Sequence, residues 1–179
     1  MAAIQANMSD YEAERQNFRW EAPEYFNFAV DVVGKWAADP KKEAMWWLGP
    51  NGEERHITFA EFHRRSNQAA DTFGKLGVKQ GDRVLVMLPR VVEWWEIMLG
   101  LMKLGAVPIP CTVLLTPKDI QYRAETAEAT TIITDSDNAP KYDEVRSNCP
   151  SIKGAIIVGN FRPRWTSYAE VVAEGSPAF

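Results

Sequence analysis

Two glycines five residues apart, Gly100 and Gly105, have the spacing of a phosphate-binding loop, in which backbone N–H groups surround a phosphate. Such a loop requires Lys-Ser or Lys-Thr directly after the second glycine, and here Ala-Val follows. The dinucleotide pattern G-x-G-x-x-G is also missing, because the turn after the first apolar strand is Pro89-Arg90-Val91. The sequence therefore predicts a structural use for these glycines.

Side chains that bind metals or carry out acid–base chemistry are scattered along the chain. His56 and His63 lie seven residues apart across a strand–helix junction, with no cysteine or carboxylate at ligand spacing. Residues 135–138, Asp-Ser-Asp-Asn, have the start of a calcium loop but not its glycine or closing glutamate, so a strand-end turn is favoured. Cys111 and Cys149 are too few for a disulfide framework or a zinc site. We expect no metal site.

Composition excludes several classes of protein. The chain is 46% hydrophobic and 25% charged with a net charge of −4, which indicates one globular core and argues against nucleic acid as a partner. The apolar run at 97–115 is interrupted by Lys103, Pro108 and Pro110, so we expect no membrane span. Residues 1–10 lack the features of a signal peptide, and the two cysteines are expected to be reduced. Both observations favour a cytoplasmic location.

The order of elements predicts an α/β fold. Strands alternate with helices from residue 84 onward, and the strands are β-branched without alternation, as buried strands are. We expect repeated βαβ units forming a mostly parallel sheet with helices on both faces, an N-terminal β-hairpin at 45–58, a polar arm at 1–24 and one domain at 25–179. Strands are expected near 84–88, 107–111, 130–134 and 154–158, and helices near 91–104, 117–128 and 140–147.

The helix expected at 91–104 has its polar residues on one stripe, formed by Glu93, Glu96 and Lys103. We expect this stripe to face solvent and the other side chains to be buried, with Pro89-Arg90 supplying the helix start. We expect Trp94 and Trp95 to be among the buried side chains, and an aromatic box that binds substrate is the alternative for this pair.

Two motifs carry a resemblance to a known family. Residues 88–95, Leu-Pro-Arg-Val-Val-Glu-Trp-Trp, and 99–110, Leu-Gly-Leu-Met-Lys-Leu-Gly-Ala-Val-Pro-Ile-Pro, resemble the N-terminal domain of medium-chain acyl-CoA synthetases. Thr58-Phe-Ala-Glu61 and the Gly77 to Val84 segment match further patterns of these adenylate-forming enzymes. The resemblance covers about 25–158.

The resemblance implies part of the large N-terminal domain of the adenylate-forming fold. It also implies an enzyme that uses ATP and Mg²⁺ to convert a small carboxylic acid into an acyl-adenylate, and then transfers the acyl group to CoA. The family's Ser/Thr/Gly-rich phosphate loop, its later acidic and arginine motifs and its C-terminal lysine do not occur up to Phe179. We therefore expect an incomplete domain truncated before that loop, with no catalytic residue and no tight binding of ATP, Mg²⁺ or CoA.

Three residues are candidate tunnel walls on the resemblance alone. Residues 110–117, which include Thr112 and Leu114, correspond to the loop beside the acyl/pantetheine tunnel. Leu114 aligns with a CoA-contacting glutamine of mammalian members, and leucine can supply only an apolar wall. Lys141 lies near the place of basic residues that contact the CoA phosphate, although a solvated helix residue is an equal alternative.

Two other functions remain open from the sequence: a stand-alone α/β interaction module, and an aryl-CoA ligase or another adenylating enzyme. Truncation would expose sheet edges and apolar surface, so we expect self-association, with residues 156–165 as contributors.

Overall fold

The computed structural model describes residues 10–20 and 22–179, so residues 1–9 and 21 of the expected N-terminal arm lie outside the described part. Within it, a five-stranded parallel sheet and a two-stranded antiparallel hairpin are surrounded by helices. The α/β class predicted from the sequence is confirmed. The elements are α1 (Tyr11–Asn17), α2 (Val33–Trp36), β1 (Glu43–Leu48), β2 (Glu54–Thr58), α3 (Phe59–Lys75), β3 (Arg83–Met87), α4 (Val92–Leu104), β4 (Val107–Pro110), α5 (Pro117–Ala127), β5 (Thr131–Asp135), α6 (Ala139–Val145), β6 (Gly154–Val158), β7 (Thr166–Ser167) and α7 (Tyr168–Ala173).

The sheet has the strand order β4-β3-β5-β6-β7, and its neighbouring strands are all parallel. Val84 of β3 pairs with Pro108 of β4 on one side and with Thr131 of β5 on the other. Residues 84–87 are all buried, as expected for a strand covered on both faces. The edge strand β7 has only two residues, and so short a strand has no periodicity by which the sequence could have predicted it.

Helices cover both faces of the sheet. Side chains of α3, α4 and α7 form one apolar cluster with the sheet, represented by Phe73, Ile97 and Tyr168. Side chains of α5 and α6 form a second cluster, represented by Ile120 and Tyr142. A third cluster joins the hairpin and α2 to helices α3 and α4. The right-handed crossover rule for parallel strands accounts for helices on the two faces.

Helix α4 corrects the expected position of the polar stripe. The stripe exists, but much of it faces α3 and not solvent. Glu96 is fully buried, where one carboxylate oxygen accepts a hydrogen bond from the Arg65 Nε and the other accepts from the Tyr168 hydroxyl at 3.2 Å. Lys103 is half-buried and donates to the Asn67 side-chain oxygen at 2.5 Å. The helix is polar on this side because its partner helix supplies matching polar groups.

The close approach of the two helices depends on Gly100, which lies in the same stripe. A Cβ atom at this position would lie 2.8 Å from the Ala69 Cβ and 3.2 Å from the Ser66 carbonyl oxygen. Both distances are shorter than side-chain contacts in packed proteins, so any larger residue would force α3 and α4 apart.

The start of α4 also differs from the expectation. The first helical residue is Val92, and the N-cap residue Val91 has an extended backbone and no side-chain cap. Pro89 therefore lies in the preceding loop and not in the first turn. The helices α3 and α5 do have side-chain caps: the Thr58 hydroxyl accepts from the Glu61 N–H at 3.1 Å, and Thr116 forms a full capping box with Asp119.

The expected burial of Trp95 is wrong. Its side chain is 48% exposed, because it lies on the side of α4 that neither α3 nor the sheet covers. In the segment before the hairpin, a π-helical turn at Phe28–Val32 is followed by α2, and the two bury Ala29 and Val33.

We predict that replacing Arg65 with Met lowers the free energy of unfolding by about 3–5 kcal/mol, since the Glu96 carboxylate would remain buried without its counter-ion. Arg64→Met is the matched control, because Arg64 bonds only the exposed Gln68 amide and should change stability by less than about 1 kcal/mol. Urea unfolding of the purified chain measures both variants. Equal losses of unfolding free energy in the two variants would show that the buried Arg65–Glu96 pair stabilises the fold no more than an exposed contact does.

We predict that Trp95→Ala costs about 1–2 kcal/mol, roughly half the cost of removing a fully buried ring. Leu101→Ala should cost about 2–5 kcal/mol, because this side chain is completely buried beneath the sheet. The same urea unfolding experiment compares the two. A larger loss for Trp95 than for Leu101 would mean that the indole is buried in solution.

Candidate functional site

The strand order places a candidate site at the carboxyl edge of the sheet. From β3 the chain crosses first to β4 on one side and then to β5 on the other, so the order reverses next to β3. Ligands of open α/β sheets bind outside the carboxyl ends of strands near such a reversal. The loops that follow β3 and β4 lie at this edge.

An apolar cleft of about 610 Å³ opens at this edge. Four tryptophans contribute to its walls, two from the hairpin and two from the first turn of α4. We call it the tryptophan cleft; it is lined by Met45, Trp46, Trp47, Leu48, Leu88, Pro89, Arg90, Val91, Trp94, Trp95, Thr112 and Val113. Its volume is within the range of small-molecule sites.

Two polar contacts fix the hairpin across the cleft. The Trp47 indole N–H donates to the Arg90 carbonyl oxygen at 2.8 Å. The Arg55 guanidinium approaches the Glu93 carboxylate at 3.8 Å. The first contact joins the hairpin to the β3–α4 connection and the second joins it to the first turn of α4, so together they hold the two walls of the cleft.

The tryptophans of α4 form part of the wall and also meet each other. The Trp94 and Trp95 rings contact edge to face, with centroids 4.8 Å apart and planes at 77°. Both line the cleft, and Trp94 also packs against the first apolar cluster, so the pair is partly in the core and partly in the cleft wall. Trp46 and Trp47 were not singled out as site residues from the sequence. Their signal was a pair of aromatic residues on the two faces of one hairpin strand.

The three residues expected to form a tunnel wall occupy one region but have different environments. Thr112 lines the tryptophan cleft, and its hydroxyl accepts from the Leu114 N–H at 3.2 Å. Leu114 itself is 83% exposed and points away from the lining. The Lys141 ammonium donates to the Val113 carbonyl oxygen at 2.6 Å and to the Asn138 side-chain oxygen at 2.8 Å. Lys141 therefore anchors the loop that carries the other two residues.

The remaining chemistry-bearing residues have structural partners. The Asp135 carboxylate accepts from the backbone and side-chain N–H groups of Asn138, both at 2.8 Å, which is the expected strand-end turn. His56 pairs with Glu43 at 2.7 Å on the exposed hairpin. Within residues 10–20 and 22–179, no three His, Cys, Asp or Glu side chains are grouped to hold a metal ion. No helix in this part is long and apolar enough to cross a bilayer.

A lysine with a shifted pKa lies at the α3–α4 interface, away from the cleft. Burial lowers the pKa of Lys103 from 10.5 to about 8. Burial and the nearby Lys103 charge also lower the pKa of His63. Since unfolded lysine binds a proton up to higher pH, stability at this position rises between about pH 8 and 10.5. The Lys103 ammonium donates to the His63 carbonyl oxygen and to the Asn67 side-chain oxygen, so its role is structural.

The lining of the tryptophan cleft contains no histidine, carboxylate or cysteine among the described residues. Its polar groups are the Arg90 guanidinium, the Thr112 hydroxyl, the tryptophan indole N–H groups and the backbone. The arrangement can bind an apolar or aromatic group, but it supplies no acid–base or nucleophilic residue.

The chain is similar to known proteins in both sequence and fold. The chain is 38% identical to human mitochondrial acyl-coenzyme A synthetase ACSM3 over 97% of its length, which is 31% of that protein. It is 37% identical to mouse mitochondrial ACSM5 over 89% of its length, or 29% of that protein. The chain thus spans about a third of these relatives.

Solved structures agree on the fold. An acyl-CoA synthetase from Brucella canis superposes with a TM-score of 0.80 at 18% identity, over 96% of this chain and 32% of that one. The anthranilate CoA ligase AuaEII, solved with anthranoyl-AMP, gives 0.77 at 24% identity, over 88% of this chain and 30% of that one. The family model described as AMP-binding enzyme matches residues 34–178, and the chain therefore belongs to the AMP-binding enzyme family.

Proposed function

We propose that the chain is the N-terminal portion of an AMP-forming acid–CoA ligase. In this reaction, ATP and a small carboxylic acid give an acyl-adenylate and pyrophosphate, and CoA then displaces AMP to give the acyl-CoA. The observation that carries the proposal is the similarity to acyl-coenzyme A synthetases along 97% of the chain. On this proposal, residues 25–179 are an incomplete N-terminal domain preceded by an arm at 1–24.

Residues 25–179 contribute shape and no chemistry on this proposal. The tryptophan cleft and the loop at 112–114 form part of the wall of a substrate tunnel, and Lys141 holds the loop in place. The described residues offer neither a carboxylate cluster for Mg²⁺ nor a glycine-rich phosphate cradle. We therefore assign no reaction step to them, and we expect ATP, Mg²⁺ and CoA to bind weakly to the 179-residue chain.

An aryl-CoA ligase is the second candidate. Four tryptophans in one cleft favour a flat aromatic group, because aromatic rings gain from edge and offset contacts beyond their buried area. A stand-alone interaction module is the remaining alternative, and the length of the native reading frame distinguishes it from both ligases.

We further propose a cytoplasmic location, supported by Cys111 and Cys149, which are both free thiols. The relatives named above are mitochondrial proteins, so fractionation of cells that express the native protein separates the two compartments.

We predict that the 179-residue chain does not catalyse acid-dependent exchange of pyrophosphate into ATP, because the motifs that would stabilise the reacting phosphorus in this family do not occur in its sequence. The protein encoded by the full native reading frame should catalyse the exchange. Comparing its exchange rate with benzoate and with octanoate distinguishes an aryl-CoA ligase from a fatty acid ligase. Exchange by the 179-residue chain would contradict the assignment of chemistry to other parts of the protein. A native protein without exchange activity would favour the interaction module.

We propose that the 179-residue chain self-associates, and we predict that sedimentation shows its mass rising with micromolar concentration. Of the residues expected to contribute, Ile156, Ile157 and Trp165 are buried. Phe161 of the same segment is 73% exposed, and on the hairpin Trp46 is 59% and Leu48 64% exposed. Leu48→Lys should therefore weaken association, and the exposed Leu114→Lys is the matched control. A monomer at all concentrations would contradict the proposal.

A further inference from the structure

A second pocket lies at the opposite, amino-terminal edge of the sheet. It has a volume of about 230 Å³, and its walls include the first residues of β5, β6 and β7. We call it the basic pocket; it is lined by Leu76, Val78, Thr131, Arg146, Lys153, Gly154, Ala155, Ile156, Arg164 and Thr166. It is separate from the tryptophan cleft and shares no residue with it.

The basic pocket carries an excess of positive charge. Its lining contains three cationic side chains, Arg146, Lys153 and Arg164, and no carboxylate. Asp143 bonds Arg146 at 2.8 Å, but it also bonds Arg162 at 2.6 Å, so one carboxylate serves two guanidinium groups. The chain as a whole has a net charge of −4, which makes this local excess unusual. Like charges in one concave site repel each other and raise the local concentration of anions.

Two of the three cations have no ionic partner. Among the described residues, Lys153 donates only to the Pro150 carbonyl oxygen, and the Arg164 guanidinium has neither a hydrogen bond nor an ion pair. Free guanidinium and ammonium donors in the same pocket are available to a ligand.

The backbone at Arg164 adds a separate observation. Its φ angle is +70°, in the left-handed region that favours glycine over residues with a Cβ. An arginine there is less favourable for the fold than glycine, and within the described residues its side chain makes no hydrogen bond or ion pair that would offset this. Strained positions of this kind occur often at ligand sites.

We propose that the basic pocket binds a small phosphate-type anion, either inorganic phosphate or pyrophosphate. The Arg164 guanidinium is suited to a pair of phosphate oxygens, Lys153 adds a point charge, and the Thr131 and Thr166 hydroxyls add donors. Arg146 adds positive charge to the wall, while its Nε and Nη2 groups donate to Asp143. A volume of 230 Å³ is below the range of about 300–1,000 Å³ for drug-sized ligands, so it suits one or two phosphate groups and not a nucleotide. The proposal does not depend on the proposed ligase activity.

The test is thermal unfolding of the 179-residue chain, with calorimetric titration, in sodium pyrophosphate or phosphate against sodium chloride of equal ionic strength. We predict a saturable rise in Tm with the phosphate anions and none with chloride, as expected for a ligand that binds only the folded state. A response to inorganic phosphate identifies a single-phosphate site, and a response to pyrophosphate alone identifies a diphosphate site. Equal Tm values in all three salts would overturn the proposal.

Arg164→Gly separates ligand binding from folding. Glycine accepts the positive φ angle, so this variant should unfold at an equal or higher Tm without ligand, yet bind the anion about tenfold more weakly, as expected for the loss of one charge-assisted contact. Lys153→Met should also weaken binding, and Lys41→Met, at an exposed site on a different surface, is the matched control. Unchanged anion affinity in both pocket variants would overturn the assignment.

Discussion

The contact between α3 and α4 is the constraint on which the rest of the structure depends. Gly100 allows the two helices to meet at backbone distance over Ala69, and no larger residue fits there. Two polar links cross the same interface: Glu96 to Arg65, and Lys103 to residues of α3. The buried carboxylate is costly unless its partner is present, so these links favour one register of the helices over others. The Tyr168 hydroxyl of α7 donates to the same carboxylate. Burial, and to a smaller extent the Glu96 charge, raise the pKa of Tyr168 well above its usual value.

That register also determines the tryptophan cleft. With α4 fixed against α3, the first turn of α4 projects Trp94 and Trp95 toward the hairpin. The hairpin is held in turn by the Trp47–Arg90 hydrogen bond and by the third apolar cluster beneath it. The cleft walls therefore come from segments about 40 residues apart in sequence, joined through one helix. Its aromatic character depends on this tertiary arrangement more than on any single motif.

Local patterns predicted the sheet well and the site less well. The β-branched runs, such as 154–158, and the Thr116 cap carry their structural meaning within a few residues, so strands and helices were found close to their true bounds. Glu96 was expected in solvent, because its partner Arg65 lies 31 residues away and no local pattern links the two. Trp95 was expected to be buried for the same reason: helical periodicity shows which residues share a face, but not which face meets a neighbour.

The two edges of the sheet differ in how many of their cationic side chains are already bonded within the fold. At the carboxyl edge, the Lys141 ammonium already bonds the Val113 carbonyl oxygen and the Asn138 amide oxygen, which leaves one of its three protons free. On the proposed function, that proton is available to a phosphate of CoA. The same lysine holds the loop at 112–114 in position, so its proposed contribution to a tunnel wall is mainly the placement of Val113 and Thr112. Unpaired positive charge is found instead at the amino edge, where the cations of the basic pocket have fewer partners within the fold.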